Sequence, residues 1–180
     1  GEEGERLSYA YASVADVYRF VNVPKECLAG SVLEIGCFRG DQAMALTPFA
    51  GRYHGIDISP AAVDHCRELG LPAEFQFDID DANVLATVAD ASIDYAFGNG
   101  VLHHLELERF AAALATKLVP GGRARFVEPA QGNIILRTFR RLTPQLRTPD
   151  EHPFDSEAIR TLQRYFDVRV IPQALVRPYL

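Results

Sequence analysis

Short apolar runs alternate with amphipathic stretches along most of this 180-residue chain. The apolar runs predict strands at about 32–35, 53–57, 73–77, 93–97, 123–127 and 167–171. Apolar residues at helical spacing predict helices at 60–69, at 105–118 and after Asp155, with a helical arm at about 8–20. Strands that alternate with helices favour a mostly parallel, doubly wound sheet with helices on both faces, so the expected class is α/β.

Two of these helices have recognisable starts. Ser59 precedes Pro60, which is the preferred order of an N-cap and a first helical residue. Asp155 can cap the last helix, which carries Ile159, Leu162 and Phe166.

The most informative segment is Val32-Leu-Glu-Ile-Gly-Cys-Phe-Arg-Gly40. It predicts a buried strand that ends near Glu34, a turn through Gly36, and a helix that starts near Gly40. Glycine lets backbone approach a ligand closely, and N–H groups at a helix start can bind a carboxylate. The next strand ends at Asp57, where nucleotide-binding folds present an acid to ribose hydroxyls. Together these pieces indicate a nucleotide-type site.

Composition narrows the class of protein. Hydrophobic residues at 48% and charged residues at 23% are ordinary for one globular domain, here 1–180. The net charge of -6 argues against a nucleic-acid partner. Cys27, Cys37 and Cys66 have no metal-type spacing, so we expect reduced thiols, no metal and a cytoplasmic location. No apolar run approaches the roughly 20 residues of a membrane span, and no signal peptide is visible.

The order of the motifs resembles the class I S-adenosylmethionine-dependent methyltransferases of the small-molecule type. Their first strand typically ends in Glu-x-Gly-x-Gly-x-Gly, which stands here as Glu34, Gly36 and Gly40 with Phe38 at the middle glycine. Further likenesses are Phe77-Asp78-Ile79 to the adenine-contacting turn, Asn99-Gly-Val-Leu-His-His-Leu105 to the segment after the fourth strand, and Leu118-Val-Pro-Gly-Gly-Arg123 to the turn into the fifth. They cover about 32–128.

The resemblance implies a Rossmann-like fold, S-adenosylmethionine as cofactor, and methyl transfer to a small or lipid-like acceptor. The usual final antiparallel strand is expected to be missing or altered. The residues that the resemblance assigns to cofactor binding are Tyr11, Glu34, Gly36, Cys37, Gly40, Asp57, Ile58, Asp78, Ile79 and Asn99. Glu34 is expected to organise the turn and to face the ammonium group of the cofactor.

His103, His104 and His152 are the candidate catalytic residues. Adjacent histidines at a helix start are expected to point in different directions, so at most one of His103 and His104 should face the pocket as a general base. A role in packing or capping at the helix start stays open for both. His152 belongs to an acidic loop segment that could also be simply solvated.

The segment 129–153 fits neither the helical nor the strand pattern well. It is expected to be a substrate lid, as the family often has after its fifth strand. It contains four arginines and, before Asp150, no acid. Arg140 and Arg141 are the candidate substrate-binding residues, which could pair with a carboxylate or phosphate. Contact with an anionic membrane surface and a plain solvated helix remain alternatives.

Two other functions are compatible with part of the pattern. An NAD(P)-dependent reductase would share the fold, but the chain has neither G-x-G-x-x-G nor a Tyr-x-x-x-Lys pair. An inactive methyltransferase-like scaffold would account for Phe38. The methyl-accepting atom and the oligomeric state are left open.

Overall fold

The computed structural model describes residues 29–128 and 155–171. Its strands are β1 (Ser31–Ile35), β2 (Arg52–Asp57), β3 (Phe75–Ile79), β4 (Ile93–Asn99) and β5 (Leu118–Val127). Its helices are α1 (Asp41–Leu46), α2 (Pro60–Glu68), α3 (Leu107–Lys117) and α4 (Ser156–Gln163), with a 3₁₀ turn at Leu102–His104. The strands form one sheet in the order β3-β2-β1-β4-β5, and every pair is parallel. The expected α/β, Rossmann-like class is thereby confirmed.

Two apolar clusters lie on opposite faces of the sheet. One contains residues of β1, β2, β3 and β4 together with Ala43 of α1 and Val63 of α2. The other joins the opposite strand faces with Phe110 of α3 and Leu162 of α4. Because helices cover both faces, all five residues of the central strand β1 are buried. This is why the strand is apolar from Val32 to Ile35 except at Glu34.

Both predicted helix starts are confirmed. The Ser59 hydroxyl accepts a hydrogen bond from the Ala62 N–H, and Pro60 is the first helical residue of α2. The Asp155 carboxylate accepts from the N–H groups of Glu157 and Ala158. These bonds favour the charged form and lower the pKa of Asp155.

Several boundaries differ from the sequence-based prediction. Strand β3 runs two residues further than predicted, so Asp78 and Ile79 end the strand instead of forming a turn. Strand β5 begins at Leu118, with an irregular register opposite β4. The predicted sixth strand at 167–171 is wrong: within the described residues this segment has no strand partner, and a strand needs one whatever its propensity. The helical arm at 8–20 lies outside the described residues.

Candidate functional site

The carboxyl ends of four neighbouring strands bring the candidate residues to one edge of the sheet. In the strand register Ile35 of β1 faces Ile56 on one side and Gly98 on the other, and Asp57 faces Ile79. The strand order reverses direction between β1 and β4, and at such a switch point an α/β sheet opens its ligand crevice.

The turn after β1 is built on left-handed backbone. Gly36 has φ of 75° and Gly40 has φ of 74°. The N–H groups of Gly36 and Cys37 both donate to the Ile56 carbonyl, at 2.9 and 3.0 Å, which ties the turn to β2. A Cβ atom on Gly40 would lie 2.6 Å from Cδ1 of Leu69, so glycine also permits the close approach of α2. Helix α1 begins directly afterwards, at Asp41.

Asp57 joins the turns that follow β1 and β2. Its Oδ2 accepts the N–H of Phe38 at 3.0 Å, and its Oδ1 accepts the N–H of Ser59 at 2.9 Å. Each carboxylate oxygen can accept more than one hydrogen bond, so the half-buried group keeps acceptor capacity. Ile58, the next residue, is exposed.

Glu34 lies beneath the turn and not at the exposed edge. Its side chain is buried, and the Tyr53 hydroxyl donates a hydrogen bond to it. Burial raises the pKa of Glu34 to about 8, against the hydrogen bond from Tyr53, which lowers it. The buried position of Glu34 beneath the turn fits its expected turn-organising role. Contact with the cofactor's ammonium stays a prediction.

Two basic side chains hold Asp78 at the outer end of the site. His54 Nε2 lies 2.9 Å from Oδ2, and Arg67 Nη2 donates to Oδ1 at 3.2 Å. Arg67 also donates through Nε to the Phe77 carbonyl at 2.9 Å. A cavity of about 350 Å³ between α2 and β3 is lined in part by Arg67 and Asp78, but not by Asp57. Sequence reasoning missed both basic partners, because neither lies near Asp78 in the chain.

A short turn after β4 carries His103 and His104. Nδ1 of His103 lies 2.8 Å from Oε2 of Glu128, and both side chains are largely buried. The other oxygen, Oε1, accepts the N–H groups of Val101 at 2.9 Å and of Leu102 at 2.8 Å. The expectation that the two imidazoles point apart is wrong: their centroids are 4.0 Å apart, because His104 packs against the ring that Glu128 holds.

Two acids at strand ends were missed by sequence reasoning. Glu128 directly follows β5, and the carboxyl ends of β4 and β5 are neighbours. Its place at a strand end was the signal that could have indicated contact with the segment after β4. Asp80 follows β3 and is buried, where it accepts from the N–H groups of Ala86 and Thr87 and from the Thr87 hydroxyl. Asp80 therefore shapes the loop between β3 and β4.

Five candidates remain. Asn99 is exposed at the end of β4, and Tyr11, Arg140, Arg141 and His152 lie outside the described residues. Within 29–128 and 155–171, no cluster of three or more His, Cys, Asp or Glu could hold a metal ion. In the same ranges no helix is both long and apolar enough to cross a bilayer.

A parallel sheet with a glycine turn after its first strand and an acid at the end of its second is typical of nucleotide-binding α/β domains. Residues 33–126 match the family described as "Methyltransferase domain". The match covers more than half of the chain, which therefore belongs to the methyltransferase domain family. Membership implies S-adenosylmethionine as the methyl donor.

Solved structures show the same fold. The YcgJ protein from Bacillus subtilis is 23% identical over 77% of this chain and 62% of its own, with a TM-score of 0.64. A complex between the Haloferax volcanii Trm112 methyltransferase activator and a methyltransferase matches at 20% identity, over 76% of this chain and 61% of that one, with a TM-score of 0.66. A S-adenosylmethionine-dependent methyltransferase from Methanosarcina mazei is 23% identical over 75% and 77%, at 0.60. The chain thus spans less than two thirds of the first two.

Proposed function

We propose that this chain transfers a methyl group from S-adenosylmethionine to a small or lipid-like acceptor. The observation that supports this most is the close approach of the turn after β1 to the segment that leads to His103. A Cβ atom built on Gly36 would lie 3.4 Å from Cγ2 of Val101, and the 3₁₀ turn starts at the next residue. A proton-accepting imidazole is then near the turn where the methionine end of the cofactor is expected.

The side chains at the sheet edge fit the cofactor by their chemistry. Asp57 has acceptor capacity left for ribose hydroxyls, and it lies beside the glycine turn. Asp78 and Ile79 would hold the adenine, and Asn99 would lie against the methionine end. When bound, S-adenosylmethionine supplies a methyl group that its positively charged sulfur already activates.

Glu128 prepares His103 to act as a general base. A carboxylate only accepts hydrogen bonds, so Nδ1 of His103 keeps its proton and donates a hydrogen bond to Glu128. The lone pair of the neutral ring then lies on Nε2, which can take a proton from an acceptor hydroxyl, amine or thiol. The rest of the rate enhancement comes from holding the acceptor in line with the methyl group.

The acceptor side is proposed from the sequence alone. Arg140 and Arg141 would pair with a carboxylate or phosphate on the acceptor, within a lid at 129–153. His152, in the same segment, is a second candidate for proton transfer.

The first experiment separates the cofactor classes. Calorimetry with S-adenosylmethionine and with NADH, side by side, should give binding only to the former. Binding of NADH alone would contradict methyl transfer and favour a reductase.

The second experiment tests the base with a panel of small phenol, amine and thiol acceptors, by formation of S-adenosylhomocysteine between pH 6 and pH 9. His103→Ala should lower the rate by ~10²–10⁴-fold, the usual contribution of a general base. His104→Ala is the comparison variant, because it leaves the bond between His103 and Glu128 in place and should lower the rate less than His103→Ala. Glu128→Gln should lower the rate with little effect on cofactor affinity. If His103→Ala keeps a normal rate at every pH, alignment alone carries the reaction.

A further inference from the structure

Phe38 has a backbone conformation that favours glycine. Its φ of 45° lies in the left-handed region, like the φ values of Gly36 and Gly40 on either side. This region is unfavourable for a bulky residue, because its Cβ comes too close to the following carbonyl oxygen. The turn thus contains one strained aromatic residue between two glycines that adopt the same region without cost.

Packing among residues 29–128 and 155–171 does not explain the phenylalanine. Its side chain is 65% exposed, whereas the neighbouring Cys37 is buried. The bonds that hold the turn use only the Phe38 backbone: its N–H donates to Asp57 at 3.0 Å, and its carbonyl accepts from Cys66 Sγ at 3.3 Å. Neither bond requires the ring.

Other exposed apolar side chains lie around Asp57. Ile58 follows Asp57 directly and is 73% exposed. Ile79, the register partner of Asp57 on β3, is also exposed. With Phe38, three exposed apolar side chains lie at the carboxyl ends of adjacent strands around one carboxylate. A nucleoside has a ribose diol and a flat base. A carboxylate can accept hydrogen bonds from the diol, and an apolar surface can pack against the base.

We propose that the ring of Phe38 is a binding contact for the nucleoside part of S-adenosylmethionine. The proposal rests on the function proposed above, and it adds a residue at the one position where the chain departs from the glycine pattern. Strained residues persist at ligand sites because the surrounding bonds over-determine them, as those from Asp57 and Cys66 do here. Because the Phe38 N–H lies against Asp57, the proposed ribose ligand, the ring is assigned to the ribose side and not to the charged sulfur.

Calorimetry on single variants tests the contact with two ligands, S-adenosylmethionine and S-adenosylhomocysteine. Phe38→Ala and Phe38→Gly should bind both about 10-fold more weakly, the scale of one lost aromatic contact. Phe38→Tyr should bind as wild type. Phe49→Ala is the matched control, because Phe49 is 56% exposed but lies beyond α1, away from the turn.

Thermal unfolding gives a readout that does not depend on catalysis. Without ligand, Phe38→Gly should keep or raise the Tm, since glycine adopts left-handed backbone freely. Unchanged affinity in both Phe38→Ala and Phe38→Gly would overturn the proposal and leave the proposed function intact, and a lower ligand-free Tm would then assign the ring to the turn. A loss confined to S-adenosylmethionine would place the ring at the charged sulfur and overturn the nucleoside contact. A wild-type protein that binds neither ligand would instead contradict the proposed function, and this proposal with it.

Discussion

Glu34→Gln should make the stability of the domain less dependent on pH. In the folded protein burial raises the pKa of Glu34 to about 8, from an ordinary value of 4.5, and Tyr53 donates a hydrogen bond to the carboxyl. Glutamine has nearly the same shape and can still accept that bond, but it cannot ionise. The variant therefore removes the cost of keeping a proton on a buried acid.

The sign follows from proton binding in the two states. Below about pH 4.5 the carboxyl is protonated in both states, and its contribution to stability is complete. As the pH rises towards 8, only the folded state keeps the proton, so wild-type stability falls by about 1.4 kcal/mol per pH unit. From about pH 5 to about pH 8, the variant should gain about 3–4 kcal/mol relative to wild type, and little more above that.

Urea unfolding followed by circular dichroism measures this difference, since the chain has no tryptophan. Glu74→Gln is the control, because it makes the same substitution at an exposed position. Free energies of unfolding for Glu34→Gln and wild type that run parallel from pH 5 to pH 8 would refute the reasoning. They would mean that the Glu34 carboxyl is ionised in the fold.

Three further changes test the site. Asp57→Ala should weaken binding of S-adenosylmethionine about 30-fold, from a loss of ~2 kcal/mol; unchanged affinity in calorimetry would exclude the ribose contact. Asp80→Ala leaves the N–H groups of the β3–β4 loop without their acceptor and should lower the free energy of unfolding by ~2 kcal/mol; a urea curve equal to wild type would contradict this. The double variant Arg140→Ala, Arg141→Ala should raise the acceptor KM while cofactor affinity stays constant; a normal KM would exclude these two arginines from acceptor binding, and salt-sensitive sedimentation with anionic vesicles would favour the membrane alternative.

Local patterns in the sequence were sufficient for much of the fold. Apolar runs, the Ser59 and Asp155 caps, and the turn at Gly36 depend on residues close together in the chain, so their signals can be recognised without tertiary contacts. The position of Asp57 at a strand end followed in the same way. Parallel strands then bring their carboxyl ends to one edge, which is why the candidate site could be predicted to lie there.

Only the tertiary structure decided which side chains meet. Glu128 holds His103, and Tyr53 lies on Glu34, through contacts between strands that are separated along the chain. The prediction of a sixth strand was wrong for the same reason. The β-branched residues of 167–171 favour extended backbone, but a strand forms only where a partner supplies hydrogen bonds. Burial likewise decided that Glu34 is a proton-holding acid under the turn and not a surface charge, because the desolvation of a carboxyl depends on everything packed around it.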